Sequence, residues 1–328
     1  MNMFRMKAVQ INKYGGYDVL EVNENATKPK TGEEQVLVEV YAVSINPFDY
    51  KVRSGMYKNM MPLKFPSTVG GDFAGVVKEV SEGVYDLKVG DEVYGSANVF
   101  SGGSGSFADF TVAPAINLAR KPKNADFIEA AALPLVGSSA VQALEEHIKL
   151  QNGPTFAKAS AGKQKILIHG GAGGIGHIAI QLAKTLGSYV ATTVSTDDKE
   201  FVKKLGADEV VDYKLQKFEE ILKDFDAIFD TVGGETTSRS FKVMKKGGML
   251  VSMVGQPDAK LASEYGVTAI GQGSKVNTQH LNRLAELVET GKIRVNIDKV
   301  FLLGEIKEAF KYQEEGHLRG KVVLEVKK

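Results

Sequence analysis

The chain of 328 residues contains no cysteine. That excludes disulfides, thiolate nucleophiles, iron–sulfur clusters and cysteine-ligated zinc together. An excess of one charge is also missing: 41 Lys and Arg stand against 40 Asp and Glu, a formal net charge of +1. So even a balance gives no overall field to hold nucleic acid or an anionic membrane. No apolar run approaches the ~18 residues of a transmembrane helix. Met1 to Gln10 carries Arg5 and Lys7 but no apolar signal-peptide segment. A cytoplasmic protein that neither enters a membrane nor binds nucleic acid is therefore expected. Histidine is sparse. His147, His169, His177, His280 and His317 show no paired spacing on one helix face and read as structural or surface residues.

What is present is the composition of a soluble globular protein, 43% hydrophobic and 25% charged. At ~150 residues per domain the length allows about two domains. Residues 1–125 hold short β-prone runs, Met6–Ile11, Gln35–Val43, Gly75–Val80, Glu92–Tyr94 and Phe107–Val112. Clusters such as Tyr14-Gly15-Gly16 and Lys88-Val89-Gly90-Asp91 separate them, which suggests a barrel-like antiparallel unit.

From Asp126 the pattern changes to helices over 126–133 and 138–150, then to regular strand–helix alternation. Strands are expected at Lys165–His169, Tyr189–Val194, Glu209–Asp212, Ala227–Thr231 and Gly248–Val254. Helices are expected between them, at 175–186, 199–205, 218–222 and 236–243. This is the signature of a parallel doubly wound sheet, over residues 126–276. An amphipathic helix follows at Thr278–Thr290, with Gly291 as its cap, then a helix at Gly304–Glu314 and a strand at Val322–Val326. Because the parallel unit is complete before them, residues 277–328 are expected to return to the first domain. The stretch Gly153–Lys163, rich in small residues and Lys, reads as an exposed surface insertion.

Ile166-Leu167-Ile168-His169-Gly170-Gly171-Ala172-Gly173-Gly174-Ile175-Gly176 carries the strongest chemical signal. Gly171, Gly173 and Gly176 fit G-x-G-x-x-G after an apolar strand and before an apolar-faced helix. Glycines there allow a tight turn, and the amides around Gly174 and Ile175 at the helix start favour a pyrophosphate. At the end of the second strand the run is Val194-Ser195-Thr196-Asp197-Asp198-Lys199. Ser195 is small, Lys199 can meet a 2′-phosphate, and Tyr213 can add a hydroxyl. These favour NADP(H), although Asp197 and Asp198 could read a 2′-hydroxyl or cap the next helix.

Further motifs are Ser44-Ile45-Asn46-Pro47-Phe48-Asp49, Arg53-Ser54-Gly55, Gly71-Asp72-Phe73-Ala74-Gly75, Val89-Gly90-Asp91-Glu92-Val93, Leu133-Pro134, Leu205-Gly206-Ala207-Asp208, Asp230-Thr231-Val232-Gly233-Gly234 and Gly320-Lys321-Val322-Val323-Leu324. With the glycine turn they resemble the zinc-independent quinone-oxidoreductase branch of the medium-chain dehydrogenase/reductase superfamily, over nearly the whole chain. Within it the sequence is most similar to the alkenal-reductase and chloroplast-envelope quinone-oxidoreductase subgroup. The resemblance implies a discontinuous GroES-like catalytic domain around a Rossmann domain, an active site between them, and a homodimer through an edge strand around Val267–Gly273. Zinc alcohol dehydrogenases of the superfamily need Cys near Asn46 and His-Glu near Gly71-Asp72, so a catalytic zinc has no ligand set here.

Without zinc, hydride addition to an electron-poor C=C or quinone is easier than alcohol oxidation. It needs only donors aimed at the oxygen where charge develops. Asn46 is the first candidate donor and Tyr57 the second, as donor or aromatic wall. Asp49 reads equally as a helix-start cap, and Ser138 and Ser139 as nicotinamide contacts or caps. Val232, Val254 and Gly255 should line the cofactor by backbone approach. Lys321 lies in a turn that resembles a cofactor-contacting loop, and His317 lies beside it. The expected activity is NADPH-dependent reduction of a quinone or an α,β-unsaturated carbonyl. The alternatives are an NADPH sensor with little catalysis and an enoyl-thioester reductase.

Overall fold

The computed structural model describes residues 5–150 and 163–328. The Gly153–Lys163 insertion, Lys163 apart, lies outside them. The chain forms two compact units. Unit 1 comprises residues 1–135, 276–290 and 295–328, and unit 2 comprises residues 136–275 and 291–294.

The first stretch of unit 1 contains β1 (Arg5–Ile11), β2 (Glu21–Thr27), β3 (Gln35–Ser44), α1 (Pro47–Arg53), β4 (Ser67–Thr68), β5 (Asp72–Val80), β6 (Glu92–Ser96), β7 (Phe110–Pro114), β8 (Leu118–Arg120) and α2 (Phe127–Ala131). Asp126 caps α2 by accepting from the Glu129 amide, while the Glu129 carboxylate accepts from the Asp126 amide. Helix α2 therefore starts one residue later than its sequence pattern and is grouped with unit 1.

Unit 2 runs α3 (Pro134–Val141), β9 (Lys165–His169), α4 (Gly176–Thr185), β10 (Tyr189–Val194), α5 (Lys199–Lys204), β11 (Glu209–Asp212), α6 (Phe218–Ile221), β12 (Phe225–Asp230), α7 (Glu235–Ser240), β13 (Met244–Ser252), α8 (Ala259–Tyr265) and β14 (Thr268–Gly271). The unit boundary falls inside α3, which passes into a π-helical turn at Gln142–His147. The helix expected at 138–150 thus begins earlier and changes its winding, so Ser138 and Ser139 are interior residues and not caps. Both are buried. Ser139 shares a hydrogen bond with the Ser274 hydroxyl at 2.7 Å.

The strands of unit 2 form one parallel sheet in the order β11-β10-β9-β12-β13-β14. The chain winds outward from β9 in one direction and restarts at β12 in the other. That leaves a switch point where the carboxyl ends of β9 and β12 meet, the usual place for a ligand in such sheets. The strands bury apolar residues on both faces, and Leu167, Ala191, Val211, Ile228 and Leu250 form the core with Phe218, Phe225 and Phe241.

The chain returns to unit 1 with α9 (Thr278–Glu289), β15 (Ile297–Leu302), α10 (Ile306–Glu315) and β16 (Lys321–Glu325). Gly291 follows the end of α9 at φ 69°, the left-handed conformation that stops a helix. The unit holds a three-stranded sheet, β2-β1-β4, and a seven-stranded sheet in the order β15-β16-β3-β5-β6-β8, with β7 on the first half of β3. Its core includes Val38, Val40, Phe73, Val93, Phe107, Phe310 and Leu324.

Strand β3 fixes the position of the site. Its second half lies between β5 and β16, both antiparallel to it, with Val43 opposite Phe73 on one side and Ser44 opposite Val323 on the other. Where β3 ends, the chain therefore has Asp72 on one flank and Lys321 on the other. Among the described residues no helix is long and apolar enough to cross a membrane.

Candidate active site

In unit 1 the end of β3 delivers Asn46 to the N-cap of α1, with Pro47 as the first helical residue. An N-cap side chain ordinarily accepts from an amide in the first helical turn. The Asn46 side chain makes no such bond. The Asp49 carboxylate accepts from the Asn46 backbone amide at 2.7 Å, so Asp49 acts as the helix-start cap. The Asn46 carboxamide is directed elsewhere. Its Nδ2 donates to Asp72 Oδ2 at 2.9 Å, and its Oδ1 accepts from Lys321 Nζ at 2.5 Å.

The same Lys321 ammonium donates to the Ile45 carbonyl at 2.8 Å. Asp72 Oδ2 also accepts from the Leu135 amide at 3.1 Å. Asn46, Asp49, Asp72 and Lys321 are all buried. Burial drives the titration of the three ionisable members: it raises the Asp49 carboxyl to about 7, raises Asp72, and lowers the Lys321 ammonium to about 8.

The sequence placed Lys321 at a cofactor-contacting turn. In the structure its ammonium is committed to Ile45 and Asn46 inside unit 1. The cause is the turn before it. Gly320 has φ 88°, and a Cβ there would stand 2.1 Å from the Asn296 carbonyl oxygen. The chain thus enters β16 tightly and sends the Lys321 side chain into the sheet interior. His317 is exposed.

Tyr57 belongs to an aromatic group beside this cluster in sequence. Its ring lies 5.6 Å from that of Phe48, which meets Phe100 edge-on at 6.5 Å. Phe48 and Asp49 line a pocket of about 10 Å³ with Val52, Leu63, Asn98 and Val99. That is the room of about one water molecule. Arg53, from the same helix, is buried and forms a two-pronged bond to Glu314 at 2.9 and 3.2 Å. Its guanidinium lies 4.9 Å from the Phe310 ring centre. Arg53 therefore anchors α1 to α10.

In unit 2 the glycine turn leaves β9 and enters α4 at Gly176. A Cβ on Gly176 would lie 2.2 Å from the Gly170 carbonyl oxygen, and one on Gly171 would lie 2.1 Å from Thr192 Oγ1. Both positions exclude any side chain because the helix packs so closely on the strand. A Cβ on Gly173 would meet only the Gly170 oxygen, at 3.4 Å, and would otherwise fill the space in front of the turn. Among the described residues no carbonyl accepts from the Gly174 or Ile175 amides. A cradle kept open by glycine and rimmed by unused amides at a helix start fits a pyrophosphate.

Behind the turn His169 is buried, with Nδ1 3.0 Å from the Thr193 hydroxyl and Nε2 2.9 Å from that of Ser240. Ser240 gives its only proton to the Thr236 carbonyl, so Nε2 is the donor and Nδ1 the acceptor. Burial holds His169 down to about 4, and it is neutral.

At the ends of β10 and β11, Ser195 donates to Asp198 at 2.8 Å, and Lys199 forms an ion pair with Asp212 at 3.0 Å. Asp212, the partner of the candidate Lys199, is not among the residues that the sequence singles out. It is buried, accepts from the Thr196 hydroxyl at 2.6 Å, and is held below the ordinary carboxylate range by that bond and by Lys199. Its signal was present, as an acid closing the third strand beside Tyr213, which is 54% exposed. Asp198 is buried against Ser195, so it is not an open reader of a ribose hydroxyl.

Val232 and Val254 are half-exposed at the ends of β12 and β13. The Asp230 carboxylate shapes the first of these turns, accepting from the Val232 and Gly233 amides at 2.9 and 3.0 Å. Gly255 has φ 140° and open space around a notional Cβ. The structure therefore gathers Gly171, Gly173, Gly174, Ile175 and Gly176 in one turn. Ser195 and Lys199 follow β10 and Tyr213 follows the neighbouring strand β11, whereas Asn46 and Lys321 are bonded to each other in the other unit.

Among the described residues no group of three or more His, Asp or Glu side chains could hold a metal ion. Residues 32–123 match the alcohol dehydrogenase GroES-like domain, and residues 205–324 the zinc-binding dehydrogenase family. The chain is 39% identical to 2-methylene-furan-3-one reductase of Solanum lycopersicum, over 97% of this chain and 79% of that one. It is 38% identical, with the same coverage, to the chloroplastic NADPH-dependent alkenal/one oxidoreductase of Arabidopsis thaliana. The structure of the quinone oxidoreductase from Coxiella burnetii superposes with a TM-score of 0.85 at 33% identity, over 98% of this chain and 100% of that one. The chain belongs to the quinone-oxidoreductase branch of the medium-chain dehydrogenase/reductase superfamily.

Proposed function

We propose that this protein is a zinc-independent, NADPH-dependent reductase of quinones or α,β-unsaturated carbonyls. The observation that carries the reading is the Asn46 amide, held in a buried polar cluster in a chain that also has a dinucleotide cradle. The names of the relatives from tomato and Arabidopsis support the substrate class.

The Gly171–Gly176 turn would hold the pyrophosphate. Ser195, Lys199 and Tyr213 would meet the 2′-phosphate, with Asp212 keeping Lys199 in place. Val232, Val254 and Gly255 would lie along the rest of the dinucleotide. Bound NADPH supplies a hydride from its dihydronicotinamide ring.

An acceptor reduced by that hydride at carbon would develop negative charge on its carbonyl oxygen, where the second Asn46 Nδ2–H would donate. Water supplies the proton that completes the reduced product. Tyr57 and Phe48, their rings inclined by 30°, offer an apolar wall to a planar acceptor, and Phe100 stands edge-on to Phe48. NADPH oxidation in the presence of quinones and 2-alkenals tests the reading, and a protein that turns over no acceptor contradicts it.

The same reading includes division into a catalytic domain (1–125 and 277–328) and an NADP-binding domain (126–276). It also includes a cytoplasmic homodimer. Strand β14 is the edge of its sheet and supports pairing with a second copy. Sedimentation at micromolar concentration should give twice the chain mass, and a monomer would remove the dimer from the account. Imaging of the tagged full chain tests the location.

A further inference from the structure

Asn46 has two faces that hydrogen bonding alone can tell apart. A carboxamide can flip, and its oxygen and nitrogen are then exchanged. Here the neighbours permit one orientation. Lys321 has only donors to offer, and it meets Oδ1. Asp72 Oδ2 accepts from the Leu135 amide as well as from Nδ2, so it is an acceptor. Flipping the amide would set donor against donor and acceptor against acceptor.

Two further observations bear on this cluster. Among the described residues the second Nδ2–H of Asn46 meets no acceptor. Lys321 is a full cation nearly out of contact with water, 3% exposed, and its two bonds are to the Ile45 and Asn46 oxygens. Burying such a charge costs several kcal/mol unless something offsets it, and the arrangement does more than fill space: it places a positive charge on the oxygen end of the amide. The carboxyl groups that face Lys321 are Asp49 from α1 and Asp72 from β5.

We propose that Lys321 is a positioning residue for the reduction: together with Asp72 it locks the Asn46 amide so that one Nδ2–H is presented to the acceptor's carbonyl oxygen, and its charge strengthens that donor. The proposal rests on the hydride-transfer reading above. It assigns Lys321 to the reacting oxygen through Asn46, and not to the cofactor. Hydrogen bonds in series polarise one another, so the cation at Oδ1 withdraws electron density through the amide away from the free N–H and makes it a stronger donor.

The test is Lys321→Met, measured by steady-state kinetics, by NADPH fluorescence titration and by the side-chain amide signals of Asn46 in 15N-labelled protein. Turnover should fall about tenfold to a hundredfold, less than or equal to the loss of a whole oxyanion donor. The NADPH dissociation constant should stay within about twofold. The Asn46 amide protons should shift and exchange faster with solvent.

Unchanged turnover, or weakened NADPH binding with turnover preserved at saturation, overturns the proposal. If Lys321→Met does not fold, the wild-type pH profile decides: turnover should decline on the alkaline side around pH 8 while NADPH affinity stays level, and a flat profile overturns it. If the wild-type protein reduces no acceptor, the functional reading fails. The amide signals then still decide the positioning, and signals unaltered by Lys321→Met refute it.

Discussion

The Lys321 ammonium donates to the Asn46 side-chain oxygen at 2.5 Å, joining residues 275 positions apart. The pairing is a consequence of strand register. β16 runs antiparallel to the end of β3, and continuing the Ser44–Val323 match by two residues sets Asn46 opposite Lys321. One hydrogen bond thus ties the start of α1 to the last strand of the fold.

Asn46→Ala removes the donor proposed for the carbonyl oxygen. Loss of one such donor costs about 10²–10³ in turnover. The variant should lose turnover on this scale and bind NADPH as the wild type does, because the dinucleotide cradle lies in unit 2. Equal losses in turnover and NADPH binding would count against a role at the reacting oxygen.

Lys199→Ala should raise the Michaelis constant for NADPH about tenfold or more, and that for NADH less than about twofold, since a single charge–phosphate contact is worth about 1.4 kcal/mol or more. Asp212→Asn should act in the same direction but more weakly, by releasing Lys199 from its ion pair. Equal effects on both cofactors would remove Lys199 from the 2′-phosphate.

His169 gives a stability prediction with a definite sign. An unfolded histidine titrates near 6.5, whereas burial holds this one down to about 4. Between those values the unfolded chain binds more protons, so this group's contribution is present above pH 6.5 and lost as pH falls toward 4. The advantage of the wild type over His169→Asn in thermal unfolding should therefore shrink across that window. A difference independent of pH would contradict the neutral, buried assignment.

Arg53→Met leaves Glu314 without its partner and removes a cation from the Phe310 ring. Glu314 is exposed, so the change leaves no buried charge behind, and losing the paired hydrogen bonds and the ring contact costs about 1–2 kcal/mol. Denaturant unfolding should show a loss of that order. A change within experimental error would mean that α1 is held by its apolar contacts alone.

Much of unit 2 was legible because its signals are local. β9, β10 and β11 have the bounds read from the sequence, since each is a short apolar run bracketed by turn residues. The glycine turn was legible for the same reason. β2, with the sequence Glu-Val-Asn-Glu-Asn-Ala-Thr, escaped notice because it is polar and lies at the edge of its sheet. β13 begins four residues before its expected start, because Met244 pairs with Phe225 across a register shift that no periodicity reveals. The partners of Asn46 were hidden for a deeper reason. Asn46 and Asp49 are close in sequence, but Asp72 and Lys321 reach them only through the pairing of β3 with β5 and β16. Asp212 likewise stands in the sequence only as the end of a strand, and its bond to Lys199 depends on β10 and β11 lying side by side.

The most direct test is NADPH oxidation at 340 nm by the purified protein with a panel of quinones, 2-alkenals and enones, run in parallel with NADH. The account predicts turnover of at least one acceptor class, faster with NADPH than with NADH, together with formation of the saturated carbonyl or the hydroquinone. NADPH binding without oxidation by any acceptor would contradict it and leave a cofactor-binding protein without this chemistry.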